Sequence, residues 1–422
     1  MTELDTRTTD IYLPYFTDVD PALSRSSGGR DPLGLLPVWS AFGRRLVPNL
    51  ASPVAQVTGI KAVVLIQWLA DQNSMQRLLE HEGARRRFFR LMEGLLEYWL
   101  YRQDGAAHCF GSNALAAAEE NFYVTATSAK TVANGLYQYY RGSCRRARLV
   151  DDAWTVEADV ARQLSKCWTQ KATEELIEAL AGPIKSSATR LFPGKHLNGA
   201  LHSALTRVFD SNTLRDTLQN CLFGDTDQRS LAREFLALRQ AGETEKLTFE
   251  GRVKRLVSPS LDHEIDCVLR CEPFLLVMQD VFDYMRGSPG KRLEIIAGEL
   301  KRYQPDMGKR ATRFLPLGAE QDSARMKHMQ ALARILANTE SAASATNNAE
   351  LVAFLRELVA YHARCIKERG RDPMVVIEGD VVLVTVASDR NVQDATARLE
   401  KGHPWMNDYY LNTASNLYGQ VF

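Results

Sequence analysis

The chain has 422 residues, 45% of them hydrophobic and 24% charged, which is the make-up of a globular protein able to bury a sizeable core and excludes a disordered chain. With 52 Lys and Arg against 51 Asp and Glu the formal net charge is +1, so any nucleic-acid surface must be a local patch and not the field of a polycation. The length exceeds what one hydrophobic core usually serves, which predicts two or three domains.

Seven cysteines without paired spacing argue against a disulfide framework and fit a reducing cytoplasm. The acidic start at Glu3, Asp5 and Asp10 has no apolar run of the kind a signal peptide needs. No stretch reaches the roughly 20 apolar residues of a membrane span, so no membrane partner is expected.

Residues 1–30 carry an aromatic cluster at Tyr12, Tyr15 and Phe16 and then dissolve into SRSSGGR, which predicts an arm on a flexible link. The first helical unit is expected over 31–185. It opens with a Pro/Gly turn at 31–34 and an amphipathic helix through Leu36, Trp39, Phe42 and Leu46. A helix from Ile60 to Leu69 follows, apolar except for Lys61 and Gln67 and therefore buried on all sides. Ala84 to Tyr101 sets Phe88, Leu91, Leu95 and Trp99 on one stripe, with Arg85, Arg86, Arg87 and Arg90 crowding its start. Cations at a helix N-terminus oppose the macrodipole, so these arginines invite an anionic partner unless Glu80, Glu82 and Glu93 pair with them.

Asn113 to Tyr140 reads as further helix ending in Tyr137, Tyr139 and Tyr140, followed at once by Arg141, Arg145, Arg146 and Arg148. Cations interleaved with rings can track a phosphate backbone and stack bases, which makes this the foremost nucleic-acid candidate. The competing expectation is tyrosines packed on the core and arginines on a protein interface. One helix is then expected from Val156 to Leu180, stopped by Gly182-Pro183.

The second helical unit is expected over 186–370. It holds short helices at Leu197–Phe209, Thr213–Leu222 (capped by Ser211 or Asn212) and Gln228–Ala241, and a long buried one from Asp262 to Arg286. Ser288 with Pro289 reads as a helix start. Basic residues recur at Lys291, Arg292, Lys301, Arg302, Lys309, Arg310 and Arg313. Helices at Ala319–Ala337 and Asn348–Arg369 flank a small-residue loop. In the last unit, 371–422, Met374–Ile377 and Val381–Val386 read as a β-hairpin hinged on Glu378-Gly379-Asp380. A short helix bearing Trp405, Tyr409, Tyr410 and Leu417 is expected to clasp it. The fold class expected is mainly α: a multi-helix, two-lobed array with a small C-terminal β-hairpin.

Signs of chemistry are sparse. GSPGKR at 287–292 follows a helix instead of a strand and has Arg292 where a phosphate loop needs Ser or Thr, so it reads as a helix cap. His263, Cys267 and Cys271 fall at i, i+4 and i+8 on one helical face. Zinc ligands normally come in short-spaced pairs from a turn, so the expectation is core cysteines beside a surface histidine, with no metal and no cofactor. Asp372, Glu378 and Asp380 near the hairpin lack the lysine a metal-dependent nuclease would add, and read as turn residues. No catalytic residue is assigned.

Asp31, Leu33, Gly34 and Leu35, then Ala41-Phe42, Leu46, Pro48, Ser52, Gln56 and Trp68, together with Pro373, the hairpin and Tyr409-Tyr410-Leu411, carry a resemblance over about a quarter of the chain. In these stretches the chain resembles an uncharacterised group of bacterial proteins encoded among anti-phage defence genes, beside a helicase and a phospholipase-D-like nuclease. That group follows the proline with a Gly-Thr/Ser-Thr turn and a basic, aromatic run, where this chain has Asn49-Leu50-Ala51 and the apolar Ala62–Ile66. The resemblance implies a subunit or adaptor of an antiviral system, with a helicase or nuclease as protein partner and DNA as a second contact. The alternatives are a protein-interaction scaffold without nucleic acid, or an enzyme whose site is assembled from distant residues.

Overall fold

The Val57–Ala70 helix has no polar face, and the fold surrounds it: every residue from Ile60 to Ile66 is buried. This is seen in a computed structural model that describes residues 31–50, 56–104, 112–118, 121–127, 135–245, 247–341, 348–385, 392–401 and 404–422. The predicted arm 1–30 lies outside the described residues. The helix Ala84–Asp104, the π-helical turn Leu136–Tyr140 and the helix Arg141–Arg146 pack on the core helix. Trp68 near its end meets Trp168 edge to face, with ring centroids 6.3 Å apart. The second buried centre is the Asp262–Arg286 helix, with the bounds its apolar content predicts and every residue from Phe274 to Arg286 buried. Both helices contribute to one continuous hydrophobic core. The chain is mainly helical, with a small two-stranded antiparallel sheet near its C-terminal end.

The opening stretch docks on the other end of the sequence. Asp31 accepts hydrogen bonds from the Leu35 and Leu36 amides and so caps the Leu36–Leu46 helix from upstream, while Arg369 donates to both its carbonyl and its carboxylate. Gly34, at φ +62°, lies where a Cβ would collide with the Arg325 guanidinium. His362 closes this junction. Its Nε2 accepts from the Met374 amide at 2.9 Å, which leaves Nδ1 as the donor to the Pro32 carbonyl, also at 2.9 Å.

The strands Val375–Glu378 and Val381–Val384 pair with Val375 opposite Val384 and Glu378 opposite Val381. GSPGKR is neither a phosphate loop nor a helix start. It runs beside the second strand, with Gly290 N donating to Val382 O and Val382 N to Lys291 O, and the helix begins only at Leu293. Pairing to the strand takes the backbone groups that a cap at Ser288 would have used.

Other boundaries also move for tertiary reasons. The segment expected to be helical from Asn113 to Tyr140 is helical at Ser112–Ala118, extended at Val124, which bridges to Leu191, and π-helical at Leu136–Tyr140. Val124 crosses the Ala84–Asp104 helix over Gly94, where a Cβ would approach its side chain to 2.5 Å. The helix expected from Val156 to Leu180 is two, Ala158–Cys167 and Gln170–Lys185. Trp168 is extended between them, and Thr169 caps the second, which continues through Pro183. Leu214, its side chain buried, starts the next helix at φ +62°, in place of a cap by Ser211 or Asn212.

Near the C-terminal end the Leu411–Val421 helix packs on Thr226–Glu245 rather than on the hairpin. A helix not expected from the sequence, Val392–Lys401, packs on Asp262–Arg286. The helix Ala324–Ser341 runs into the start of the predicted small-residue loop, and residues 342–347 lie outside the described residues.

Candidate nucleic-acid interface

The two arginine clusters attach at opposite ends of the core helix. Arg85 pairs at 3.4 Å with Asp71, just past its C-terminal end, whereas Cys144 in the second cluster reaches the Ile60 carbonyl near its start. Eleven helical residues separate these anchor points, roughly 16 Å at 1.5 Å per residue. The two clusters are therefore anchored separately, one at each end of the core helix.

In the first cluster only the leading members reach solvent. Arg85 and Arg86 are exposed, but Arg87 is half-buried and donates to the Ile184 carbonyl at 3.1 Å, in the last turn of Gln170–Lys185. A cation there satisfies an orphan carbonyl and complements that helix's negative end, which gives Arg87 a role within the fold. Arg90 is half-buried as well. Glu93 is buried and accepts from the Leu136 amide at 2.6 Å.

The second cluster is a ledge built on the core helix. Tyr140 is 4% exposed and its ring fills the space left by Gly59, where a Cβ would come within 2.3 Å of it. Its expected role in stacking on bases is thereby overturned, since the ring is the ledge's anchor. Tyr139 is half-buried, and the side chain of Tyr137 lies outside the described residues. Ser143, Cys144, Ala147, Leu149 and Val150 face inward, leaving Arg145, Arg146 and Arg148 exposed.

The ledge ends in a tight reversal. Leu149 N bonds to Cys144 O at 2.9 Å around Arg148, which takes the left-handed conformation at φ +56°. This is a Schellman-type helix ending, where glycine is usual. Beyond it Val150 bridges to Val156, and Trp154, itself at φ +67°, lies under the Arg141 guanidinium, 3.5 Å from ring centroid to cation. Arg145 lies 3.6 Å from Asp152, both largely exposed, and neither Arg146 nor Arg148 forms an ion pair with any described residue. The cation-on-ring arrangement expected from the tyrosines is thus realised with Trp154. A sequence signal for it exists in the short Asp151-Asp152-Ala153-Trp154 turn, but not the contact itself.

Four members of the second basic run are paired within the fold. Lys291 binds Glu299, Arg302 binds Glu400, Arg310 binds Asp306, and Arg292 lies 3.8 Å from Asp380. Asp380 is held also by Arg356, which makes the hairpin acid a turn anchor, as its sequence context suggests. A groove of about 540 Å³ beside Arg302, Tyr303, Arg310 and Glu400 has its acids in these same pairs. Among the described residues no helix is long and apolar enough to cross a membrane.

No family model, curated protein or solved structure matches the chain.

Proposed function

We propose that this protein is a non-catalytic subunit or adaptor of a bacterial antiviral system that contacts DNA through Arg145, Arg146 and Arg148 and works beside a helicase or nuclease. The observation that carries the DNA contact is the ledge: three exposed guanidiniums on a backbone fixed from below by Tyr140, Cys144 and Leu149. A rigid base lets each side chain meet a phosphate without first ordering the main chain. Arg85 and Arg86, at the far end of the core helix, supply the second contact, and Arg141 on Trp154 offers a flat cation beside the path. The defence setting and the helicase or nuclease partner rest on the sequence resemblance in the opening stretch and the C-terminal hairpin.

The test is fluorescence anisotropy of labelled single- and double-stranded DNA at low and near-physiological salt, with Arg145→Glu/Arg146→Glu measured in parallel. Binding that weakens with salt and is lost in the variant is the expected result. No binding at low salt overturns the DNA contact and leaves the ledge as a surface for an acidic protein.

A further inference from the structure

His263, Cys267 and Cys271 share a helical face in sequence, but the fold brings only two of them to a common point. Cys271 is fully buried against Tyr409. A third donor comes instead from Glu320, which directly follows the 3₁₀ turn Leu315–Ala319. His263 Nε2 lies 3.1 Å from Glu320 Oε2 and 3.8 Å from Cys267 Sγ. One ligand atom from each of the three residues falls within 4.8 Å of the others.

A catalytic relay does not describe this cluster. In a relay the acid holds Nδ1 while the nucleophile faces Nε2, whereas here acid and thiol face the same nitrogen. Burial, reinforced by Glu320, also pushes the Cys267 thiol up to about 11, the opposite of an activated nucleophile. Nitrogen, sulfur and oxygen meeting at one point is the pattern of ligands around an ion. A tetrahedral ion with bonds of roughly 2.0–2.3 Å keeps its ligands roughly 3.2–3.8 Å apart.

We propose that His263, Cys267 and Glu320 form a binding site for a zinc-class divalent cation, with the fourth position open to water. The thiolate and imidazole favour zinc over magnesium or calcium, which take oxygen ligands. Cys267 forms the buried floor and His263, more than half exposed, the mouth, so an ion has a path in. Arg45 donates to Glu320 Oε2 at 2.8 Å and to the Glu320 carbonyl, and so orients the carboxylate through the same oxygen that faces His263. Thiolate and carboxylate together balance a 2+ charge, and Arg45 is the nearby cation that limits affinity. Loading the site displaces the thiol proton to solvent. The ion would clip the start of the Asp262–Arg286 helix to the Leu315–Ala319 turn and, through Arg45, to the Leu36–Leu46 helix.

The experiment is titration of the chelator-stripped full chain with Co²⁺, followed by absorbance. A saturable thiolate-to-cobalt charge-transfer band with intense four-coordinate d–d bands, displaced by Zn²⁺, is expected. The near-isosteric Cys267→Ser should abolish the charge-transfer band, and His263→Ala and Glu320→Gln should each weaken binding at least about tenfold, with circular dichroism melts confirming that the variants fold. Absence of a saturable band in the unaltered chain, or its persistence in Cys267→Ser, overturns the site.

Discussion

Arg148 occupies a left-handed backbone position that glycine would hold with less strain, and its side chain points to solvent. A non-glycine residue there costs about 1 kcal/mol. Arg148→Gly should therefore leave stability unchanged or raise it by up to about 1 kcal/mol, as read by urea denaturation, while lowering DNA affinity in the anisotropy assay. A loss of both stability and binding would make Arg148 part of the scaffold. Lys61 presents the opposite case, a cation kept inside. Its ammonium donates to the Asp210 carbonyl at 2.6 Å, and burial lowers its pKa from 10.5 to about 8, against the pull of Asp210. Between those values the unfolded chain binds a proton at Lys61 that the folded chain does not, so the contribution of Lys61 to stability rises with pH in that window. Comparing unaltered protein with Lys61→Met between pH 8 and 9.5 should isolate a gain of about 1.5 kcal/mol that the variant lacks. The comparison cancels the buried cysteines Cys144, Cys267 and Cys271, whose pKa values burial raises from 9.0 and which act in the reverse sense in this same window.

Among the elements, the Val392–Lys401 helix packs through Ala395 and Leu399 and is tied down by one cation. Arg398 Nε bonds Asp280 at 2.7 Å and its Nη2 bonds Asp283 at 3.0 Å, and both acids are buried in the Asp262–Arg286 helix. Arg398→Ala removes the shared cation from two buried carboxylates, with Asp283 keeping its bond from Gln279, and should cost about 3 kcal/mol in chemical denaturation. Elements were legible in the sequence where the apolar pattern alone decides, as in Asp262–Arg286 and Leu36–Leu46, whose bounds agree with their spacing. They were not legible where a distant contact sets the boundary. Trp168 leaves the helix to meet Trp68, and Ser288 gives up a cap because the next residues pair with a strand nearly a hundred positions later. The candidate interface divides the same way. Its arginines stand out as a run, but the burial of Tyr140 depends on the gap above Gly59, and the third donor of the His263 cluster lies beyond any local motif.

At the scale of the whole molecule, the elements interlock out of sequence order. The Leu36–Leu46 helix and its Asp31 turn dock on Asp262–Arg286 and Ala349–Lys367, and the Leu411–Val421 helix lies against Thr226–Glu245 and touches the core helix. Glu272, buried in the long helix, gathers the amides of Met406 and Asn407 and the hydroxyl of Tyr409, which seats the approach to that last helix. One bond in this arrangement sets the order in which the fold can close. The first-turn amide of the core helix, Val57 N, is satisfied by the side chain of Gln420 at 2.9 Å. The partner that completes the N-terminal end of the core helix thus lies 363 residues away, and the bond closes a loop that no local pairing can shorten. Such a loop costs chain entropy before its contact rewards it, so this bond is expected to form after the core helix itself, in refolding as in any first folding.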